Sequence, residues 1–446
     1  MNDLAGRTVA VLGLGASGAG AARLARRRGA DATVLDSGTG DRVAAAADEL
    51  RREGIGAVTG PAALERGTDG FDLCVLSPGI DPTWPMPQAF AAAGITIVGE
   101  IEFAFQAVGA APVVAITGTN GKSTTTELVA RLLQSGGFKS VPSGNHGRAF
   151  SDVLQSGEPI DVHTVEVSSF QLETTGTFRP KVAVWMNFAP DHLDRHPTVD
   201  AYFEAKARIF ENQTADDWAV LKWEDRRPAE LKARVLTFSA FSDAADFALV
   251  DGWIALRGEK VVDFSRTHLR GRHNAENLMA ALAVGHIFGI PWDVLAESAR
   301  DYRAPRHRCE LVAVVNGREF INDSKATNLH ALESCLRALD KPVVLIAGGK
   351  QKGLDFAPLA GLAKQCTTHV LAIGQLREHL QQAWGGVVPV EPCEDLESAV
   401  RRSLEVSQPG QIVLLSPGTS SFDMFSGYEH RGIAFENAVK RLLSPV

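Results

Sequence analysis

The stretch Ile116-Thr117-Gly118-Thr119-Asn120-Gly121-Lys122-Ser123-Thr124 decides how this chain is read. It follows the apolar, β-branched run from Pro112 to Ile116, which reads as a buried parallel strand, and it precedes Thr126 to Leu133, whose apolar spacing is helical. Strand, glycine turn and helix together make a phosphate cradle. Gly118 and Gly121 let backbone N–H groups close on an anion at a helix N-terminus, Lys122 adds a point charge, and the Ser123 hydroxyl suits Mg²⁺. The strict Walker pattern has glycine where Ile116 stands, so this is a shortened loop, Gly-x-x-Gly-Lys-Ser. An ordinary strand-to-helix turn is the bland alternative. The Lys-Ser pair directly after the second glycine makes ATP binding the better reading.

Upstream, residues 7–12 form a strand that enters Gly13-Leu-Gly15-Ala-Ser-Gly18, with a helix to follow. The next strand ends in Asp36, about 20 residues past the glycines, where a ribose contact would lie. Alone this fingerprint is weak, because any nucleotide-holding unit has the same steric need for glycine. The strand Leu73 to Leu76 leads into Ser77-Pro78-Gly79, a second loop expected at the same sheet edge. Gly94 to Val98 is one more strand, and Glu100 to Ala107 a connecting helix.

Downstream, Val162 to Ser169 and Val182 to Asn187 read as strands, and a polar loop runs through Asp191-His192-Leu-Asp194-Arg195-His196 to a helix from Tyr202 to Glu211. Less regular strands precede His273-Asn274-Ala-Glu-Asn277 and its apolar helix. The last region alternates again, from Val343-Val-Leu-Ile-Ala through Lys352 to Ile412-Val-Leu-Leu. The expectation is α/β throughout: a Rossmann-like domain over 1–100, a central P-loop domain over 101–304 and a Rossmann-like C-terminal domain over 305–446.

Composition narrows the function. A chain of 446 residues exceeds one ordinary core. The net charge of −8, without a long Lys/Arg run, argues against nucleic-acid or membrane-surface binding. With neither a signal peptide nor an apolar segment near twenty residues, a soluble cytoplasmic protein is expected. Five cysteines without C-x-x-C spacing read as scattered reduced thiols.

Several side chains have chemistry that a surface role would waste. Glu166 ends a strand expected beside the cradle strand, where a carboxylate reaches Mg²⁺ on ATP phosphates. His192 alone is a loop histidine. Lys206, fourteen residues on, lies among apolar helical neighbours, where a bare ammonium is costly. Arg306-His307-Arg308 and Asn322-Asp323-Ser324-Lys325 are polar clusters that usually mean solvated turns, yet the latter offers acceptors, donors and a cation just past a strand.

Taken together, Thr-Gly-Thr-Asn-Gly-Lys-Ser-Thr (117–124), Ser168-Ser-Phe-Gln-Leu-Glu-Thr174, Asp191-His-Leu-Asp-Arg-His196 and Asn322-Asp-Ser-Lys-Ala-Thr-Asn328 resemble the Mur ligases, over essentially the full length. The resemblance implies ATP-dependent amide formation: D-glutamate is added to UDP-N-acetylmuramoyl-L-alanine through an acyl phosphate, in cytoplasmic peptidoglycan precursor synthesis by a monomer. Gly118, Thr119, Asn120, Gly121, Lys122, Ser123, Thr124, Asn277, Arg308 and Asp323 would hold ATP. Ser123 and Glu166 would hold one Mg²⁺, and His192 and a carbamylated Lys206 a second. A carbamate is an anionic oxygen ligand, which an ammonium is not. Gly15, Ala16, Ser17, Asp36, Ser37, Ser77 and Gly79 would line the uridine site, with Asn145 and His192 on the muramoyl substrate. Lys325, Thr327, Lys352, Ser421 and Tyr428 would meet the amino acid.

Two departures bear on detail: His146 stands where an aliphatic residue is expected, and Gly418-Thr419-Ser420 where Ala-Cys-Ala is common. L-Glutamate stays open as the alternative amino acid. An NAD-dependent dehydrogenase would leave the P-loop and final domain without a role, a folylpolyglutamate synthetase should lack the first domain, and a non-catalytic nucleotide-binding regulator would need neither His192 nor the Asn-Asp-Ser-Lys cluster.

Overall fold

The computed structural model describes residues 3–191, 195–228, 230–303, 306–339, 341–351 and 353–443. The chain folds as α/β with three sheets. Five short runs form the first: β1 (Thr8–Leu12), β2 (Asp31–Asp36), β3 (Gly56–Thr59), β4 (Leu73–Leu76) and β5 (Thr96–Gly99). They pair in parallel in the order β3-β2-β1-β4-β5. A parallel sheet needs helices on its faces, so its central strands are apolar along their whole length rather than alternating; β1 is buried from Val9 to Leu12.

The second sheet holds β6 (Val113–Thr117), β7 (Pro142–Gly144), β8 (His163–Glu166), β9 (Val182–Trp185), β10 (Trp218–Lys222), β11 (Arg234–Ser239), β12 (Phe247–Val250), β13 (Trp253–Leu256) and β14 (Glu259–Asp263). Its order is β14-β13-β12-β11-β10-β9-β6-β8-β7, and β6, β8 and β9 are buried at every residue. Only β12 to β14 run antiparallel. Their hairpins turn at Asp251-Gly252 (φ 50° and 78°) and Arg257-Gly258 (φ 49° and 87°), pairs in which the second residue tolerates the left-handed backbone that a tight hairpin demands.

The third sheet holds β15 (Glu310–Val315), β16 (Arg318–Asn322), β17 (Val343–Gly348), β18 (Thr367–Ile373), β19 (Val390–Pro392) and β20 (Ile412–Leu415), ordered β15-β16-β20-β17-β18-β19. All pairs are parallel except the β15–β16 hairpin, which turns at Asn316-Gly317. That edge hairpin goes beyond the sequence reading, which places only a strand before Asn322.

The described residues divide into two compact units: 1–265 with 276–300, and 266–275 with 301–446. Within the first, one continuous core joins the first two sheets, from Val9, Val11 and Val75 to Val113, Val165 and Trp185. The expected boundary near residue 100 therefore falls inside a single compact unit, and the residues of the second expected boundary, 304–305, lie outside those described. Among the described residues no helix is long and apolar enough to cross a membrane.

Candidate active site

The cradle turn leaves β6 at Thr117, and the helix Lys122–Ser135 starts directly after Gly121. Gly118 (φ 148°) and Gly121 (φ 83°) both occupy left-handed backbone. A Cβ at Gly118 would lie 2.8 Å from Met186 Cβ, and one at Gly121 only 2.4 Å from Asn277 Oδ1. Asn187, which the sequence reading passed over, fixes the turn: its Oδ1 accepts from Asn120 N at 2.8 Å, its Nδ2 donates to Asn120 O at 3.0 Å, and its carbonyl accepts from Thr119 N at 2.9 Å. The amides of this turn are thus held in place before any ligand arrives.

Two lysines converge on one carbonyl there. Lys122 Nζ donates to Gly118 O and Thr119 O, both at 2.9 Å, and Lys206 Nζ donates to Gly118 O at 2.8 Å. Lys206 comes from the helix Val199–Ala207, is 1% exposed, and lies 4.8 Å from the centroid of the Tyr202 ring. Burial, then the charge of Lys122, pushes its ammonium well below the usual lysine range, against the opposing pull of Asp191 and Glu166.

Glu166 ends β8 in register with Ile116 of β6, as the sequence reading expects. It is buried. Oε1 accepts from Asn145 Nδ2 at 2.7 Å, while Oε2 is buried without a hydrogen bond. A buried carboxylate oxygen left bare is costly unless a cation or donor completes it, so the donor set suits a hard divalent cation. Asn145 is positioned by its own N–H, which donates to Glu166 O at 2.9 Å, next to Gly144 at φ 92°. His146, the departure in that loop, bonds Glu127 Oε1 at 2.7 Å. His192 lies outside the described residues, as do 193 and 194. Arg195 of the same motif bridges Asp81 at 2.9 Å and Glu173 at 2.8 Å, and Ser168 caps a short helix with Gln171.

At the first sheet, Asp36 and Ser77 meet the Gly13 turn. Asp36 Oδ2 accepts from Leu14 N at 2.6 Å, Oδ1 from Gly38 N at 2.7 Å, and Ser77 Oγ donates to Gly13 O at 3.0 Å. Gly15, Ala16, Ser37 and Gly79 stand exposed around this point, and Gly15 caps the helix Ala16–Arg27 without a side-chain bond. The arrangement leaves a helix N-terminus open at the carboxyl ends of β1, β2 and β4, which fits a phosphate-bearing ligand.

The second unit gathers a further cluster. Asp323 follows β16 and accepts from Ser416 Oγ at 2.9 Å; burial, then the charge of Cys309, raises it well above the usual carboxylate range. Lys325 Nζ lies 3.7 Å from the centroid of the Tyr428 ring. Arg431, missing from the sequence reading, is buried and ties two loops together: it donates to Ser324 O at 2.8 Å and to Thr419 O at 3.1 Å. Burial lowers its guanidinium to about 10. Thr327 is half-buried and Ser421 buried, while Lys352 lies outside the described residues. In the departing triplet, Thr419 Oγ1 donates to Lys350 O at 2.8 Å and the Ser420 hydroxyl is buried without a partner.

Comparison with known proteins agrees with this layout. Residues 7–99 match the MurD-like N-terminal domain of Mur ligases, 116–285 the Mur ligase middle domain, and 307–418 the glutamate ligase domain of Mur ligases. The UDP-N-acetylmuramoylalanine--D-glutamate ligase of Trichlorobacter lovleyi is 39% identical over 99% of this chain and 100% of its own. That of Myxococcus xanthus is 41% identical over 98% and 99%. Among solved structures, the MurF ligase of Thermotoga maritima in complex with ADP superposes with a TM-score of 0.62 at 15% identity, covering 99% of this chain and 100% of that one. The Thermotoga maritima UDP-N-acetylmuramate-alanine ligase gives 0.60 at 17%, covering 97% and 99%. These structural matches share the fold. With full-length sequence identity near two-fifths and all three domain matches in order, the chain belongs to the Mur ligase family, among the UDP-N-acetylmuramoylalanine--D-glutamate ligases.

Proposed function

We propose that this chain is the ATP-dependent ligase that joins D-glutamate to the terminal carboxylate of UDP-N-acetylmuramoyl-L-alanine, in the cytoplasmic assembly of peptidoglycan precursors, acting as a monomer of three domains with boundaries near residues 100 and 304. Lys122 and Lys206 on one carbonyl of the glycine turn, with the half-satisfied Glu166 at the end of the neighbouring strand, carry the proposal. It is supported by full-length relatives that carry this activity in their names.

In this reading the turn amides and Lys122 hold the ATP phosphates, with Asn277, Arg308 and Asp323 on the nucleotide. Lys122 stabilises charge on the phosphoryl group as it passes to the substrate carboxylate, and the glutamate amine then attacks the acyl phosphate and expels phosphate. Glu166 and Ser123 hold Mg²⁺, which neutralises phosphate charge when bound. Lys206, whose ammonium form burial disfavours, is an amine suited to take up carbon dioxide; as a carbamate it would join His192 at a second ion. Gly15, Ala16, Ser17, Asp36, Ser37, Ser77 and Gly79 take the uridine diphosphate end, and Asn145 the muramoyl group. Thr327, Lys352 and Ser421, with Lys325 and Tyr428, take the amino acid, since its two carboxylates need cationic or multiple hydrogen-bond partners.

The test is phosphate release from ATP with each substrate omitted in turn and with both glutamate enantiomers. Release that needs UDP-N-acetylmuramoyl-L-alanine and D-glutamate together supports the proposal. A preference for L-glutamate replaces the amino acid and keeps the chemistry; release independent of the muramoyl substrate overturns it.

A further inference from the structure

Of the five cysteines, two that lie 26 residues apart in sequence meet in space. Cys309, at φ 46° directly after Arg308, has its sulfur 3.1 Å from that of Cys335 on the helix Leu329–Ala338. Both belong to the second unit, and Asp323 closes the group: its Oδ1 accepts from Cys309 N at 3.3 Å, and the carboxylate and both sulfurs lie within 4.8 Å of one another. We propose that Cys309 and Cys335 are a dithiol–disulfide pair beside Asp323, a modification site at which a hydroperoxide reversibly weakens nucleotide binding. The nucleotide effect rests on the assignment of Arg308 and Asp323 made above; the disulfide itself does not.

Geometry favours this over a bound metal. A disulfide needs sulfurs about 2.05 Å apart, so the pair closes by about 1 Å through side-chain rotation. Two thiolates on tetrahedral zinc, at about 2.3 Å each, stand about 3.8 Å apart, so metal binding would have to spread them. The two thiols are also unequal. Cys309 is half-buried, and the neighbouring Cys335 thiol, with the His273 ring, holds it below the usual thiol range despite burial. Cys335 is buried and shifted the other way by Cys309 and by burial. Cys309, the more exposed of the two, is therefore the thiol that meets the peroxide, and the buried Cys335 is the resolving thiol.

The chemistry balances. The Cys309 thiolate attacks a peroxide oxygen, the O–O bond breaks, and hydroxide or alkoxide leaves to be protonated, giving a sulfenic acid. The Cys335 sulfur then attacks the Cys309 sulfur, its proton and the hydroxyl leave as water, and the S–S bond forms. Two thiols are oxidised and one hydroperoxide is reduced. A small dithiol reverses the step by exchange. Closure draws the two side chains together against Asp323, whose Oδ1 accepts from Cys309 N at 3.3 Å, and so disturbs that carboxylate and the Cys309 amide that follows Arg308.

The experiment treats the full chain with hydrogen peroxide, alkylates the remaining thiols under denaturing conditions, and maps the peptides by mass. The expected result is a Cys309–Cys335 linkage, a nucleotide affinity lower by about tenfold, the loss of one charge-assisted contact, and recovery of both with dithiothreitol. Cys335→Ser, checked for an unchanged Tm, should form no linkage, accumulate a sulfenic acid at Cys309 that a dione reagent traps, and keep its affinity. Free thiols after treatment, linkage through another cysteine, or stoichiometric zinc in the untreated protein would overturn the proposal. Phosphate release by the reduced protein reports separately on the ligase reading.

Discussion

Two glycine turns in this chain have the same build and different equipment. Gly13 after β1 and Gly118 after β6 both follow a strand with parallel neighbours on either side, both take left-handed backbone (φ 93° and 148°), and both lead into a helix. Around the first stand a carboxylate and a hydroxyl, Asp36 and Ser77, each bonded to the turn's own backbone. Around the second stand two lysines on one carbonyl and a carboxylate with a bare oxygen. Glycine spacing therefore states how closely a phosphate can approach the backbone. The side chains on neighbouring strand ends state whether it is only held or also transferred.

The comparison breaks most sharply at Lys122. Lys122→Ala should lower ligase turnover by about a thousandfold or more and leave Tm close to wild type, because the ammonium bonds carbonyls of its own loop rather than a core. Turnover near wild type would make the second turn as passive as the first. Lys206→Ala should fall by about a hundredfold or more and regain part of its activity in acetate, if its task is to present oxygen to Mg²⁺. An active wild-type enzyme whose intact mass or density shows plain lysine would remove the carbamate.

Steric tests come next. Gly18→Ala places a Cβ 1.9 Å from Gly13 O and 2.7 Å from Ser77 Oγ, so the first turn itself must shift. The expected loss is about 3 kcal/mol by chemical denaturation. An unchanged midpoint would mean that the first turn is looser than described. Acid should also distinguish the two turns' foundations, because His163 at the start of β8 is buried with a bare Nδ1, and burial lowers it to about 4. The unfolded chain binds the extra proton between about pH 6.5 and 4, so this contribution is whole above pH 6.5 and lost on the way down to 4, about 3 kcal/mol at most. His163→Gln should flatten that slope in denaturation curves. Smallest is Asp36→Asn, expected to cost about 1 kcal/mol and to raise KM for the muramoyl nucleotide while KM for ATP stays put. Equal effects on both KM values would detach Asp36 from the uridine end.

The parts of this picture that sequence carries are those with one dominant physical cause. β6, β8 and β9 are buried on both faces, so their β-branched runs announce them, and the placement of Glu166 beside Ile116 follows from parallel strand ends. The edge hairpins escape the sequence reading although Asp251-Gly252 and Asn316-Gly317 are tight-turn pairs, because their strands carry exposed apolar residues, such as Leu311 and Val314, that blur the alternation. β7 and β19 have three residues each, too few for any period to show. Asn187 and Arg431 act through backbone contacts made across the fold, and the meeting of Cys309 with Cys335 depends on how the helix Leu329–Ala338 lies against the sheet. None of these is written in local spacing.

The short helix Glu100–Phe105 has a consequence for protein engineering. Glu100 accepts from Ser151 N at 2.7 Å, and Glu102 accepts from the amides of Gly176, Thr177 and Phe178 at 2.9 to 3.0 Å. On the facing helix Ala16–Arg27, a Cβ at Gly20 would lie 2.8 Å from Ser151 Oγ. These carboxylate bonds stay on one side of the boundary that family comparison draws at residue 99, and what crosses it is the fit of Gly20 against Ser151, the Arg28 guanidinium donating to Phe103 O at 3.2 Å and Gly99 N donating to Thr174 O at 3.2 Å. A recombinant that exchanged only the first 99 residues with those of a relative would keep every acceptor on the recipient side and lose its shape match at Gly20. Crossover points for chimeric ligases belong elsewhere, or the graft must carry residues 150–156 and Thr174 with it.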